Sequence, residues 1–251
     1  MGRRVGTGAH LWPPHLRDPR EVQKRYNSPR IPPMPTPNPD PRHIRSHWHE
    51  ARSGAHYAGG RWRNARAAGR DPSRVARALA HHAPNLGGQL VLDAPSGVGR
   101  LREAIEERGA RYVGLDASPS MLAEGSGGGF VQGSAWALPF PSRTFGAVVC
   151  CRLLHHVPDE GSRAALIGEL LRVSTGPVVL SFWDSASWHA WRRRKGVRRA
   201  RHADSRTALH RGELERLVRA AGAEPLEYFS SLRFVSQQTI LIFRAKASCQ
   251  D

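Results

Sequence analysis

Asp93 and Asp116 each close a short apolar run and each precede a group of small residues. The first follows Leu90-Val91-Leu92 and leads into Ala94-Pro95-Ser96-Gly97-Val98-Gly99. The second follows Tyr112-Val113-Gly114-Leu115 and leads into Ala117-Ser118-Pro119. A strand, a glycine-rich elbow and a helix N-terminus form the device by which α/β folds bring backbone N–H groups against a ligand. Gly97 and Gly99 suit the elbow, because a residue without Cβ can turn sharply and be approached closely. An acid at the tip of the next strand can accept from both hydroxyls of a ribose, so the pair points to a nucleoside-bearing ligand. Farther on, His155 and His156 follow the apolar run that ends at Cys151. A neutral imidazole there could serve as general base, with strand-exit packing as the other reading.

Positioning these groups requires a βα repeat. Apolar runs predict strands near 89–93, 111–115, 129–133, 145–151 and 177–183, and helices near 99–108, 118–124 and 160–173. The runs Val148-Val149 and Val178-Val179-Leu180 are continuous rather than alternating, as for parallel strands covered on both faces. A further helix is expected near 211–222, then two strands near 224–230 and 236–244. Upstream, Asp71 reads as a helix cap with Pro72 at the first helical position of a helix near 73–84, placing Val75, Leu79 and His82 on one face. Residues 1–45 carry closely spaced prolines and no apolar period, and are expected to be a disordered Pro/Arg-rich tail. Residues 46–85 form a helical arm or lid bringing Trp48, Tyr57, Arg61 and Trp62 close in sequence, and 86–251 form the α/β domain.

The 251-residue chain has a formal net charge of +17, which suggests a polyanionic partner until it is divided along the sequence. The first 85 residues hold 16 Lys/Arg against 5 Asp/Glu and residues 191–211 hold 9 against 1, whereas residues 86–190 hold 8 against 10. The segment with the acid–glycine pattern is therefore slightly acidic, and a nucleic acid laid across it would be repelled. Three cysteines are too few for a disulfide framework, so reduced thiols and a cytoplasmic location are expected. No apolar run approaches the roughly 18 residues of a membrane span. No metal site is expected.

The phrases VLDAPSGVGRL, YVGLDASPSML, ALPFPSRTFGAVVCCRLLHHV and SRAALIGELLRVS, in that order and spacing, resemble class I S-adenosylmethionine-dependent methyltransferases. The small-molecule branch that includes quinone-biosynthesis enzymes is the nearest in pattern, and the resemblance covers roughly Gly87 to Lys246. It implies a Rossmann-like, mostly parallel seven-stranded sheet in the order 3-2-1-4-5-7-6, with an antiparallel last strand and helices on both faces. It implies S-adenosyl-L-methionine as cofactor, held by Asp93, Ser96, Gly97, Gly99, Asp116, Ala117, Met121, Ser134, Ala135, Trp136 and Cys151. The chain departs from the family pattern at Pro95, where a glycine is usual, at Ser134, where an Asp accepts from the adenine amino group, and at Gly146, where an acid is common. Tyr57, Arg61, Trp62, Trp188 and Arg192 are the expected acceptor-binding residues, and His155 or His156 the candidate base. The expected acceptor is a small-molecule or lipid-linked compound. An RNA acceptor engaging the Arg-rich segments, and a non-catalytic binding protein on the same fold, are the competing readings.

Overall fold

The computed structural model describes residues 65–194, 207–230, 234 and 237–246. Helix α1 (Ala65–His82) is followed by β1 (Leu90–Asp93), α2 (Arg102–Glu106), β2 (Arg111–Asp116), α3 (Pro119–Ala123) and β3 (Phe130–Gln132). Then come β4 (Ala147–Cys150), a single 3-10 turn (Leu154–His156), α4 (Glu160–Val173), β5 (Val178–Trp183), α5 (Trp188–Arg194), α6 (Arg211–Ala220), β6 (Ala223–Ser230) and β7 (Gln238–Ala245). The seven strands form one sheet in the order β3-β2-β1-β4-β5-β7-β6. The first five pair in parallel, and β7 runs antiparallel to both β5 and β6. This is the order and polarity that the resemblance implies.

Successive strand residues point to opposite faces, so each strand feeds two cores. Leu92, Val148 and Leu180 pack with Leu166, Ile167 and Leu170 of α4 and Leu214 of α6. Their neighbours Val91, Val149 and Val179 pack on the other face with Val75 and Leu79 of α1 and Ile105 of α2. Burial on both faces explains the unbroken apolar runs. Helix starts are set locally: Ser118 Oγ accepts from Met121 N, Asp159 Oδ1 from Ser162 N at 2.7 Å, and His210 Nδ1 from Gly212 N at 3.1 Å.

Two helix boundaries differ from expectation. Helix α1 does not start at Asp71–Pro72 but runs through them from Ala65. Asp71 caps nothing; it lies on the apolar face with Val75, Ala78 and Leu79, only 2% exposed, and its carboxylate is taken by Arg152. Tertiary burial outweighs the local capping signal here. Helix α2 is also shorter than expected, because Gly99 and its neighbours form turns first. Helix α5 lies where the sequence suggested only an Arg-rich insertion.

Candidate functional site

The carboxyl ends of β1, β2 and β4 open into one cavity, with α1 and the segment after β3 as further walls. That is where ligands bind in open α/β sheets. Asp93, Ser96 and Gly97 reach it from the first elbow, Asp116, Ala117 and Met121 from the second, and Ser134, Ala135 and Trp136 from the third. Cys151, His155 and His156 reach it after β4. Ten of the eleven expected cofactor residues and both histidines therefore share one wall system. Gly99 does not line the cavity: it has φ +79°, and a Cβ there would come within 2.8 Å of the Phe130 ring. Its role is to shape the elbow. Tyr57, Arg61 and Trp62 lie outside the described residues. Trp188 and Arg192 sit on α5, outside the cavity lining, with the Trp188 and Trp191 rings stacked at 4.6 Å and both exposed.

The two acids differ in what surrounds them. Asp116 Oδ2 accepts from Gly97 N at 2.8 Å and Oδ1 from Ser118 N at 2.9 Å, so it fastens the first elbow to the second. A carboxylate offers about four lone-pair sites, more than these two bonds occupy. Asp93 is 1% exposed; Oδ2 accepts from the Tyr112 hydroxyl at 3.0 Å, while buried Oδ1 has no hydrogen-bond partner among the described residues. Burial is the main reason its pKa is pushed up to about 8, with the Tyr112 hydrogen bond opposing and the Asp116 charge adding to the rise. At neutral pH such an acid keeps its proton, and a cation placed beside its open oxygen would favour the ionised form.

Other groups are less reactive than their types suggest. Burial drives the Cys151 thiol well above its ordinary range, so it stays protonated and acts as a small apolar wall. His155 is 4% exposed and stacks face to face on Trp183, ring centroids 4.4 Å apart with planes 3° from parallel. The Trp136 indole N–H donates to the Ser162 carbonyl at 2.9 Å. Ser134 Oγ accepts from Trp136 N at 3.3 Å, so its hydroxyl is held within its own loop.

Sequence reasoning missed the charged wall. Asp71, Arg100 and Arg152 also line the cavity. Arg152 Nε donates to Asp71 Oδ2 at 2.6 Å, and Arg100 Nη1 lies 3.9 Å from the same oxygen. Arg152 adopts a left-handed backbone (φ +63°), while its N–H donates to Ser181 Oγ at 2.8 Å. Non-glycine residues enter that region at a cost of about 1–2 kcal/mol, and such strain concentrates at functional sites. One signal was legible: an acid at position 71 heading the apolar stripe 75, 78, 79 is out of place on a buried face.

Residues 92–176 match the family described as "Methyltransferase domain", which bears out the resemblance to methyltransferases but not the particular branch. An uncharacterized methyltransferase of Mycobacterium leprae (strain Br4923) is 34% identical over 133 residues, covering 44% of this chain and 48% of that protein. One from Mycobacterium sp. (strain KMS) is 34% identical over 102 residues, covering 38% and 39%. The chain thus spans about half the length, or less, of the curated relatives it matches. Among solved structures, magnesium protoporphyrin IX methyltransferase from Synechocystis PCC 6803 with bound SAH superposes at TM-score 0.65 with 20% identity, covering 82% of this chain and all of that one. The PH0226 protein from Pyrococcus horikoshii OT3 gives TM-score 0.59 at 17% identity, covering 73% and 92%. The fold is the Rossmann-like class I methyltransferase fold.

Proposed function

We propose that this methyltransferase-fold domain binds S-adenosyl-L-methionine and transfers its methyl group to a small-molecule or lipid-linked acceptor. The observation that carries the reading is the pairing of two unlike acids in one cavity: Asp116, at the tip of β2 and fastened to both elbows, where a ribose diol would meet it, and Asp93, with a buried oxygen lacking a partner among the described residues. A nucleoside bearing a cationic amino-acid arm matches both, and the residues present fit the cofactor. When bound, it supplies an activated sulfonium methyl group, so the chain needs little acid–base chemistry of its own.

The remaining work is alignment and exclusion of water. Gly97 and the Asp116 carboxylate hold the elbow against the nucleoside, Met121 and Trp136 offer apolar surface to the base, and Ser134 replaces the usual carboxylate with a weaker neutral partner. We assign His155 and His156 to the wall that shapes the acceptor pocket. The stacking of His155 on Trp183 supports positioning rather than proton transfer. Tyr57, Arg61 and Trp62 of the arm, with Trp188 and Arg192 on α5, are assigned to acceptor approach. The free thiols of Cys150 and Cys151 agree with a cytoplasmic setting. No helix among the described residues is long and apolar enough to cross a membrane.

Calorimetric titration with S-adenosylmethionine, S-adenosylhomocysteine and NAD tests the assignment. Saturable heat with the first two and none with NAD is expected. Silence with both sulfur compounds, in calorimetry and thermal shift alike, would sink it and favour a binding module that has lost the cofactor.

A further inference from the structure

At the end of α1 remote from Asp71, three donor groups from two elements meet. His81 Nδ1 and His82 Nε2 both hydrogen-bond to one carboxylate oxygen, Glu227 Oε2, at 3.1 and 2.9 Å. The three atoms able to ligate a metal lie within 4.8 Å of one another. The partners are about 145 positions apart in sequence, so no local spacing announces them. An irregularity of β6 builds the arrangement. Pro225 pairs with Phe243 and Glu227 with Ile242, leaving Leu226 as the extra residue of a bulge. A bulge bends its strand and re-aims side chains. Leu226 and Phe229 pack into the core shared with α1, and Glu227 reaches the end of the same helix. Phe229 sets its ring against His82, centroids 6.5 Å apart and nearly perpendicular.

We propose that His81, His82 and Glu227 bind a divalent transition-metal ion of the Zn²⁺ type and that the ion ties the end of α1 to β6. Two imidazole nitrogens and a carboxylate oxygen are a donor set that zinc, nickel and copper accept, and water fills the remaining position. The ring atoms that now meet Glu227 serve as ligands in the tautomer that leaves their lone pairs free. The ion enters from solvent, since the His81 side chain is 70% exposed while that of His82 is 17% exposed. None of the three residues lines the cavity. Asp71 lies about 15 Å from His81 along the helix axis at 1.5 Å per residue. The ion therefore steadies the helix that supplies Asp71 and takes no part in chemistry, and the proposal is independent of methyl transfer.

The test uses the full chain stripped with a chelator and then titrated with ZnCl₂ by calorimetry, with CoCl₂ and visible absorption as a second probe. One equivalent is expected to bind, raising the thermal midpoint. Affinity is expected to fall more than about tenfold in His82→Ala and Glu227→Gln, which also lose the thermal shift. His81→Ala keeps the fold intact because the side chain is exposed, and it too should lose affinity. A folded His81→Ala protein with undiminished affinity overturns the proposal. So does a parent chain that binds no Zn²⁺, or Zn²⁺ held equally well by all three variants, which would place the ion on others of the 13 histidines.

Discussion

Asp93 and Asp116 occupy equivalent strand ends, yet their surroundings give them different tasks. Asp116 receives two backbone N–H donors and lines the cavity at the tip of β2. Replacing it by Ala should weaken S-adenosylhomocysteine binding by about 1.5–3 kcal/mol, the range for hydrogen bonds to a charged group, and calorimetry reads this directly. For Asp93 the informative variable is pH. Its folded pKa of about 8 lies above the ordinary 3.8, so between those values the folded chain keeps a proton that the unfolded chain releases. Its contribution to stability is therefore fully present below about pH 4 and declines until pH passes about 8. Asp93→Asn lacks this slope, and the difference between the two thermal-midpoint curves should show it. Cofactor binding should run the other way in the parent protein, tightening from pH 6 to 8 as Asp93 ionises. A flat affinity profile in that window would remove Asp93 from the cofactor's cationic end.

Among the elements, α1 joins the core to the site. Val75, Ala78 and Leu79 bury its apolar face, and Asp71 extends the same face into the cavity, where it meets Arg152. The Asp71 carboxyl is almost fully buried, while the Arg152 side chain is 26% exposed, so solvent softens the consequence of losing one partner. Asp71→Ala should destabilise the chain by about 1–3 kcal/mol in denaturant unfolding, as expected when a charged partner is left behind. Combining it with Arg152→Ala should recover at least about 1 kcal/mol of the summed single effects, because the residues are in direct contact. Strict additivity would mean that the 2.6 Å contact carries no energy and that α1 is placed by apolar packing alone.

Over the whole molecule, charge is segregated: the cofactor half is slightly acidic, and the arginines concentrate in the first 85 residues and after β5. A polyanion bound along those arginines would lose affinity steeply with salt as counterions are released, each neutralised arginine flattening the slope. A small anionic acceptor would depend on one or two arginines and leave the rest silent. Replacing Arg192, Arg193, Arg194, Arg198, Arg199 and Arg201 by Gln, singly and together, and measuring RNA retention across a salt series separates the two. Weak retention with no cumulative dependence on arginine number is expected. Tight binding that falls with each replacement would transfer the acceptor to RNA.

Features that depend on neighbours along the chain were legible in the residues alone. Strand positions followed from apolar runs, the first elbow from Gly97 and Gly99, and the cavity-facing acids from their place at strand tips, whereas the order of strands across the sheet came only with the family resemblance. Ten of eleven expected cofactor positions reached the cavity because strand ends and the turns after them are set within a few residues of the motif itself. Features that depend on distant partners emerged only with folding. Asp71 looked like a cap because Pro72 follows it, and Arg152, 81 positions away, turned it into a buried ion pair. Arg100 joined them only when the elbow folded back against α1. Likewise His81, His82 and Glu227 became a cluster only once a bulge in β6 turned Glu227 toward α1. Periodicity records which face of an element is buried; which charge waits on the facing element is fixed by packing, and no local pattern encodes it.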